Sequence, residues 1–148
     1  MNNLDEIDLA IIDCLKENAK QGVKQISEQV GLTTTPTFER IKRLERTGVI
    51  ARYTVELNRK EIGRGLCVFC HVTLREHKLD LLEGFEKKVV GLKQVEQCFH
   101  VAGDHDYLLF ISVSDMEEYS HFLKNELTAI PSIANVHSSF VLSEILPD

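Results

Sequence analysis

The chain has 148 residues, 43% of them hydrophobic and 27% charged, and a formal net charge of −6. That is the make-up of a globular protein of one ordinary domain or two small ones. It excludes a spanning helix, since no run approaches about 18 to 20 apolar residues, and four cysteines in a chain of this size do not make a disulfide framework.

The N-terminal stretch "MNNLDEIDLAIIDCLKEN" carries acidic residues where a secretory signal would carry basic ones, so a cytoplasmic location is expected. Residues 1 to 60 hold ten Lys and Arg against nine Asp and Glu, whereas residues 61 to 148 hold seven against fourteen. All six histidines fall in the second part. The asymmetry predicts two modules with different partners, divided at a Gly63–Gly65 hinge into residues 1–62 and 63–148.

Three helices are predicted in the first module. The first opens at Asp5, with Asp8 spaced as its capping-box partner, and carries Ile7, Ile11, Ile12, Cys14 and Leu15 as an apolar stripe. A short second helix runs through "KQISEQV" and stops at Gly31. The third follows a threonine run: Thr33 is the N-cap, Pro36 sits in the first turn, and Gly48 ends it. Phe38, Ile41 and Leu44 are expected to face the core. Residues Val49 to Leu57, extended and β-branched, read as a wing or a linker strand.

Two short helices joined by a Gly-containing turn, the second of them basic, form a helix-turn-helix. The second helix of such a pair enters the major groove of double-stranded DNA. Thr34, Thr35 and Thr37 are short donors and acceptors suited to bases or phosphates. Arg40 and Arg43 have the reach for guanine edges or phosphates, and Lys42, Arg46 and Arg52 for phosphates. The plain alternative is a solvated face with an i,i+4 pair between Glu39 and Arg43.

After residue 65 the period changes. "LCVFCHVTLR" reads as a strand, Leu79 to Val90 as a helix, "VEQCFHVA" and "YLLFISV" as strands about a "GDHD" turn, Asp115 to Leu127 as a helix, and "IANVHSSFVLSEIL" as the last strand. The order βαββαβ predicts a ferredoxin-like domain, and the fold class is α+β. "CVFCH" has the form of a haem-attachment motif, but positions three apart on a strand point to opposite sides. No cofactor is expected there. Cys67, Phe69, His71, Phe99, Tyr107, Leu109 and Ile111 are read as one apolar sheet face that a second copy would cover.

In "GDHDY" the residues Asp104, His105 and Asp106 are adjacent, which suits a tight turn better than one metal ion; no metal is expected. An enzyme built on Asp104, His105, Asp106 and His71 lacks a nucleophile–base pair and a phosphate loop.

"GLTTTPTFERIKRLERTGVIARYTVELN", "VAGDHDYLLFISVSDMEEY" and "IPSIANVHSSFVL" resemble the Lrp/AsnC family of transcription regulators, in the right order and over almost the whole chain. Ser27 and Ser132 depart mildly from the family pattern, which commonly has alanine and glycine there. The resemblance implies a winged helix-turn-helix followed by an effector-binding and oligomerisation domain, with no enzymatic activity. It implies a small effector, usually an amino acid, held between subunits by Gly103, Asp104, Asp106, Tyr107, Met116, Ser138 and Ser139. It also implies homodimers that assemble to octamers. An architectural DNA-binding protein that senses nothing is the open alternative.

Overall fold

The computed structural model describes residues 4–145. It divides the chain into Met1–Glu56 and Leu57–Asp148, ahead of the boundary expected at residue 62.

The first unit holds α1 (Glu6–Glu17), α2 (Val23–Val30) and α3 (Thr34–Arg46). Asp5 caps α1 as its spacing predicts: its carboxylate accepts the Asp8 N–H at 2.8 Å, and Asp8 accepts the Asp5 N–H at 3.2 Å. Gly31 ends α2 at φ 70°, a left-handed conformation that glycine adopts without Cβ strain. Ile11, Ile26, Ile41 and Leu44 form the buried centre, with Ile7, Leu15, Val30 and Ile50 packed around it. Fully burying one such side chain contributes about 1.5–3 kcal/mol, so four of them make a small core.

Two expectations for the first unit are corrected. Phe38 is 44% exposed, and Thr37 fills the inward position instead, fully buried. The inward face follows Thr37, Ile41 and Leu44, spaced four and then three apart, which tracks the helical repeat better than steps of three. The stretch Val49–Leu57, expected as a wing or a linker strand, is exposed from Ala51 onward and joins no strand ladder among the described residues.

The second unit contains β1 (Leu66–Leu74), α4 (Leu79–Val89), β2 (Val95–His100), β3 (Tyr107–Val113), α5 (Met116–Phe122) and β4 (Ile133–Phe140). The sheet order is β2-β3-β1-β4 with every neighbour antiparallel, the ferredoxin-like arrangement. The expected helix to Leu127 changes after Phe122 into one wide π turn over Leu123–Leu127. The last strand stops at Phe140 rather than running on; Leu146, expected at its end, lies outside the described residues.

One face of the sheet packs beneath the helices. Val68, Cys70 and Val72 pair with Ile111, Leu109 and Tyr107, and all six join Phe85, Val89 and Phe122 in the core. Tyr107, Leu109 and Ile111 therefore do not belong to the outer face on which they were expected. The side chains beside Phe69 and His71 on that face come from Phe110 and Leu108, because cross-strand partners share a side. Phe99 opposite Leu108 and His137 opposite His71 complete it. Cys67 pairs with Ser112 on the outer face while Cys70 is buried on the inner one, so the two sulfurs do not converge.

Candidate DNA-contact surface and effector turn

Helix α3 turns three kinds of surface to its surroundings. Thr34, Thr35, Lys42, Arg46 and, beyond the helix, Arg52 are exposed. Thr37 is not among them: its hydroxyl donates to the Thr33 carbonyl at 2.9 Å inside the helix bundle, which corrects its reading as a DNA contact. Lys42 lies 2.8 Å from Glu45, whose other carboxylate oxygen accepts the Tyr53 hydroxyl at 2.9 Å. The Lys42 bond, then the Tyr53 bond, hold the Glu45 carboxyl below its ordinary range.

The third surface faces α1. Arg40 Nη1 donates to Asp8 Oδ1 at 2.7 Å and to the two oxygens of Asp5 at 2.8 and 2.7 Å. Arg43 Nη2 donates to Asp8 Oδ2. Both arginines, read from the sequence as reaching for DNA, thus have carboxylates of their own chain as partners. The Asp8 N–H and then Arg40 lower the Asp5 carboxyl from its ordinary value. Asp8 was legible only as a cap. Its second role had a signal, though: it stands between Ile7 and Ile11 in the apolar stripe, where an acid needs a cation to be buried.

In the second unit the turn after β2 places its two aspartates differently. Gly103 adopts φ 146°, and Asp104 is exposed, with no hydrogen bond or ion pair among the described residues. Asp106 turns inward. Its Oδ2 accepts the Leu74 N–H at 2.7 Å, beside the bulge where the β1–β4 register shifts, and its Oδ1 lies 2.7 Å from His77 Nε2. Its backbone N–H donates to Val72 and its carbonyl accepts from Val101. Partial burial pushes the Asp106 carboxyl up, but the Leu74 and His77 bonds outweigh it and hold the group below the ordinary value.

The remaining expected effector residues do not all gather on one surface. Tyr107 is buried, its ring stacked on His100 and its hydroxyl donating to Glu86 at 2.8 Å. Burial first, then Glu86, pushes that phenol well above its ordinary range. Ser138 faces inward, hydrogen-bonded to the hydroxyl of buried Tyr119. Ser139 is on the outer face opposite Phe69, and Met116 is 55% exposed at the start of α5. Sequence reading placed His71 and His105 in one cluster but missed His137 beside them. The His105 ring lies 4.9 Å from that of His71, and the His137 ring 6.2 Å. The signal for His137 was its place opposite His71 on paired strands, hidden until the register was known.

Comparison with known proteins follows the same division. Residues 67–148 match the family described as the Lrp/AsnC ligand binding domain, and residues 4–51 match a winged helix-turn-helix DNA-binding family. The Bkd operon transcriptional regulator of Pseudomonas aeruginosa is 36% identical over 146 residues, covering 99% of this chain and 95% of that protein. The leucine-responsive regulatory protein of Escherichia coli K12 is 36% identical over 143 residues, covering 97% and 87%. A transcriptional regulator of Neisseria meningitidis, solved in complex with L-methionine, superposes with a TM-score of 0.94 at 34% identity, covering 98% of this chain and 94% of that one. The chain belongs to the Lrp/AsnC family: it is a DNA-binding transcription regulator with a winged helix-turn-helix and a ligand-binding domain, and not an enzyme.

Proposed function

We propose that α3 enters the major groove with Thr34 and Thr35 at its N-terminal end, where short side chains approach base edges. Lys42, Arg46 and Arg52 hold phosphates in this arrangement, supported by their exposure. The ligand of the second unit is an amino acid, and its binding shifts DNA affinity or assembly through a difference in affinity for two states. The observation that carries this reading is the L-methionine complex of the Neisseria meningitidis relative. Asp104, exposed and without a partner among the described residues, takes the ligand ammonium; backbone N–H groups about Gly103 take its carboxylate; Met116 and Ser139 complete the contacts. Asp106, Tyr107 and Ser138 shape the site from within.

The regulator acts as a homodimer, assembling to an octamer, in the cytoplasm. In support, the outer sheet face carries Phe69 at 37% and Phe99 at 47% exposure beside Leu108 and Phe110, a concentration of apolar surface that a second copy would bury. Among the described residues no helix is long and apolar enough to cross a membrane. The test is calorimetry and thermal shift with each of the amino acids. A true effector at 100 times its Kd raises the stability of the native state by about 2.7 kcal/mol, and Asp104→Asn abolishes the shift. If no amino acid moves the melting midpoint or the DNA affinity, the sensing reading fails.

A further inference from the structure

The side chain of Asp8 is 1% exposed and holds two arginines of the helix proposed to face DNA. Arg40 and Arg43 are 26% and 44% exposed, so neither is buried outright; each is turned back towards the first turn of α1. The carboxylate is itself fixed there, since the same Asp8 closes the capping box with Asp5. Asp5 adds a second acid to Arg40. A cation pinned in this way can swing to a phosphate only by taking one of two charged partners from a buried acid, which is disfavoured.

We propose that Asp8 is a specificity-determining residue of this regulator: it withholds Arg40 and Arg43 from the DNA backbone and so suppresses sequence-blind binding. The inference rests on α3 being the DNA-facing helix. A phosphate contact reads no sequence, but each one adds about 0.9 to the slope of log affinity against log salt. At 0.1 M salt that is about eightfold in affinity for any duplex. Two free arginines would strengthen binding everywhere, while the quantity that matters in a genome is the ratio of operator to random-sequence affinity. A short basic helix with its two central arginines clamped keeps Lys42 and Arg46 outside and leaves the threonines to discriminate.

The test uses the full chain, an operator selected from random sequence, and a random duplex, with affinities measured across a salt series. Asp8→Asn is close in shape and removes the charge. The clamp predicts that random-duplex affinity rises about eightfold per released arginine at 0.1 M salt, that the salt slope steepens by about 0.9 for each, and that the operator-to-random ratio falls. Arg43→Gln, with the wild-type Asp8, leaves the slope at its wild-type value, because Arg43 is not on a phosphate. Asp8→Asn weakening both duplexes equally with an unchanged slope would reduce Asp8 to a structural residue and overturn the proposal. So would a slope lowered by about 0.9 in Arg43→Gln, which decides the matter even if Asp8→Asn does not fold. Arg46→Ala separates the two layers: if its slope is also unchanged, the placement of α3 on DNA is wrong, and the clamp's role falls with it.

Discussion

Replacing Asp106 with alanine separates a structural anchor from a ligand contact. The carboxylate accepts the Leu74 N–H at 2.7 Å beside the β1 bulge, and it is 17% exposed. Its removal leaves that N–H short of an acceptor in a partly buried place, a cost of about 1–3 kcal/mol. The His77 contact adds little, because His77 is 64% exposed and solvent-exposed pairs contribute about 0–1 kcal/mol. Asp106→Asn keeps a carbonyl oxygen for Leu74 and is expected to cost less. For a unit of this size, 1 kcal/mol moves the melting midpoint by about 4–8 °C. The assay is thermal unfolding of both variants, with hydrogen exchange at the Leu74 amide as the local readout. The pH dependence has a definite sign. Asp106 is held below the ordinary carboxylate value in the folded state, so its contribution is complete above the unfolded value of about 3.9 and is lost as pH falls through the folded value. The gap between wild type and Asp106→Ala is therefore constant from neutral pH to about 5 and closes below about 4. An alanine variant that melts with the wild type at neutral pH, with unchanged Leu74 exchange, would refute the anchor and return Asp106 to the effector site.

Three further outcomes follow from the same geometry. Thr37→Val deletes the buried hydroxyl bonded to Thr33 and is expected to cost about 0.5–1.5 kcal/mol in chemical denaturation; operator affinity, read by anisotropy, stays within about twofold of the wild type once folding is corrected for. Arg46→Ala removes an exposed cation of α3 and lowers the salt slope of operator binding by about 0.9, with random DNA losing as much affinity as the operator. Phe69→Arg places a charge on the outer sheet face beside Phe110, where burial without a counter-charge is costly. Sedimentation is expected to show protomers, and a dimer of wild-type affinity would put the interface elsewhere.

Most of the fold was legible because its signals are local and periodic. The β3 run "YLLFISV" has clean strand character and is a strand over Tyr107–Val113. Asp5 and Asp8 make the cap their spacing predicts. Sheet faces were harder, because assigning Tyr107, Leu109 and Ile111 to a side requires the register between β1 and β3. Sequence period fixes which residues of one strand share a face, but not which face of the neighbour they meet. A strand after Ala51 did not form for a related reason: β-branched residues favour extended chain, yet a strand needs a partner, and that segment makes no ladder among the described residues.

The site residues were over-assigned in a regular way that the physics explains. Each motif contains like residues of which some turn inward and others outward. Among the threonines, Thr34 and Thr35 are exposed while Thr37 closes on Thr33. Asp104 points to solvent and Asp106 ties down Leu74. Ser139 stands on the outer sheet face and Ser138 is bonded to Tyr119 on the inner one. A polar contact residue must be held in place by its neighbours, and the polar neighbour that holds it has the same composition but must find its hydrogen bond inside. Arg40 and Arg43 complete the pattern, since their inward partner is an acid 32 and 35 residues earlier, on α1 rather than on α3 itself. Residue type therefore marks where chemistry concentrates, and only the partner decides which member of a pair performs it.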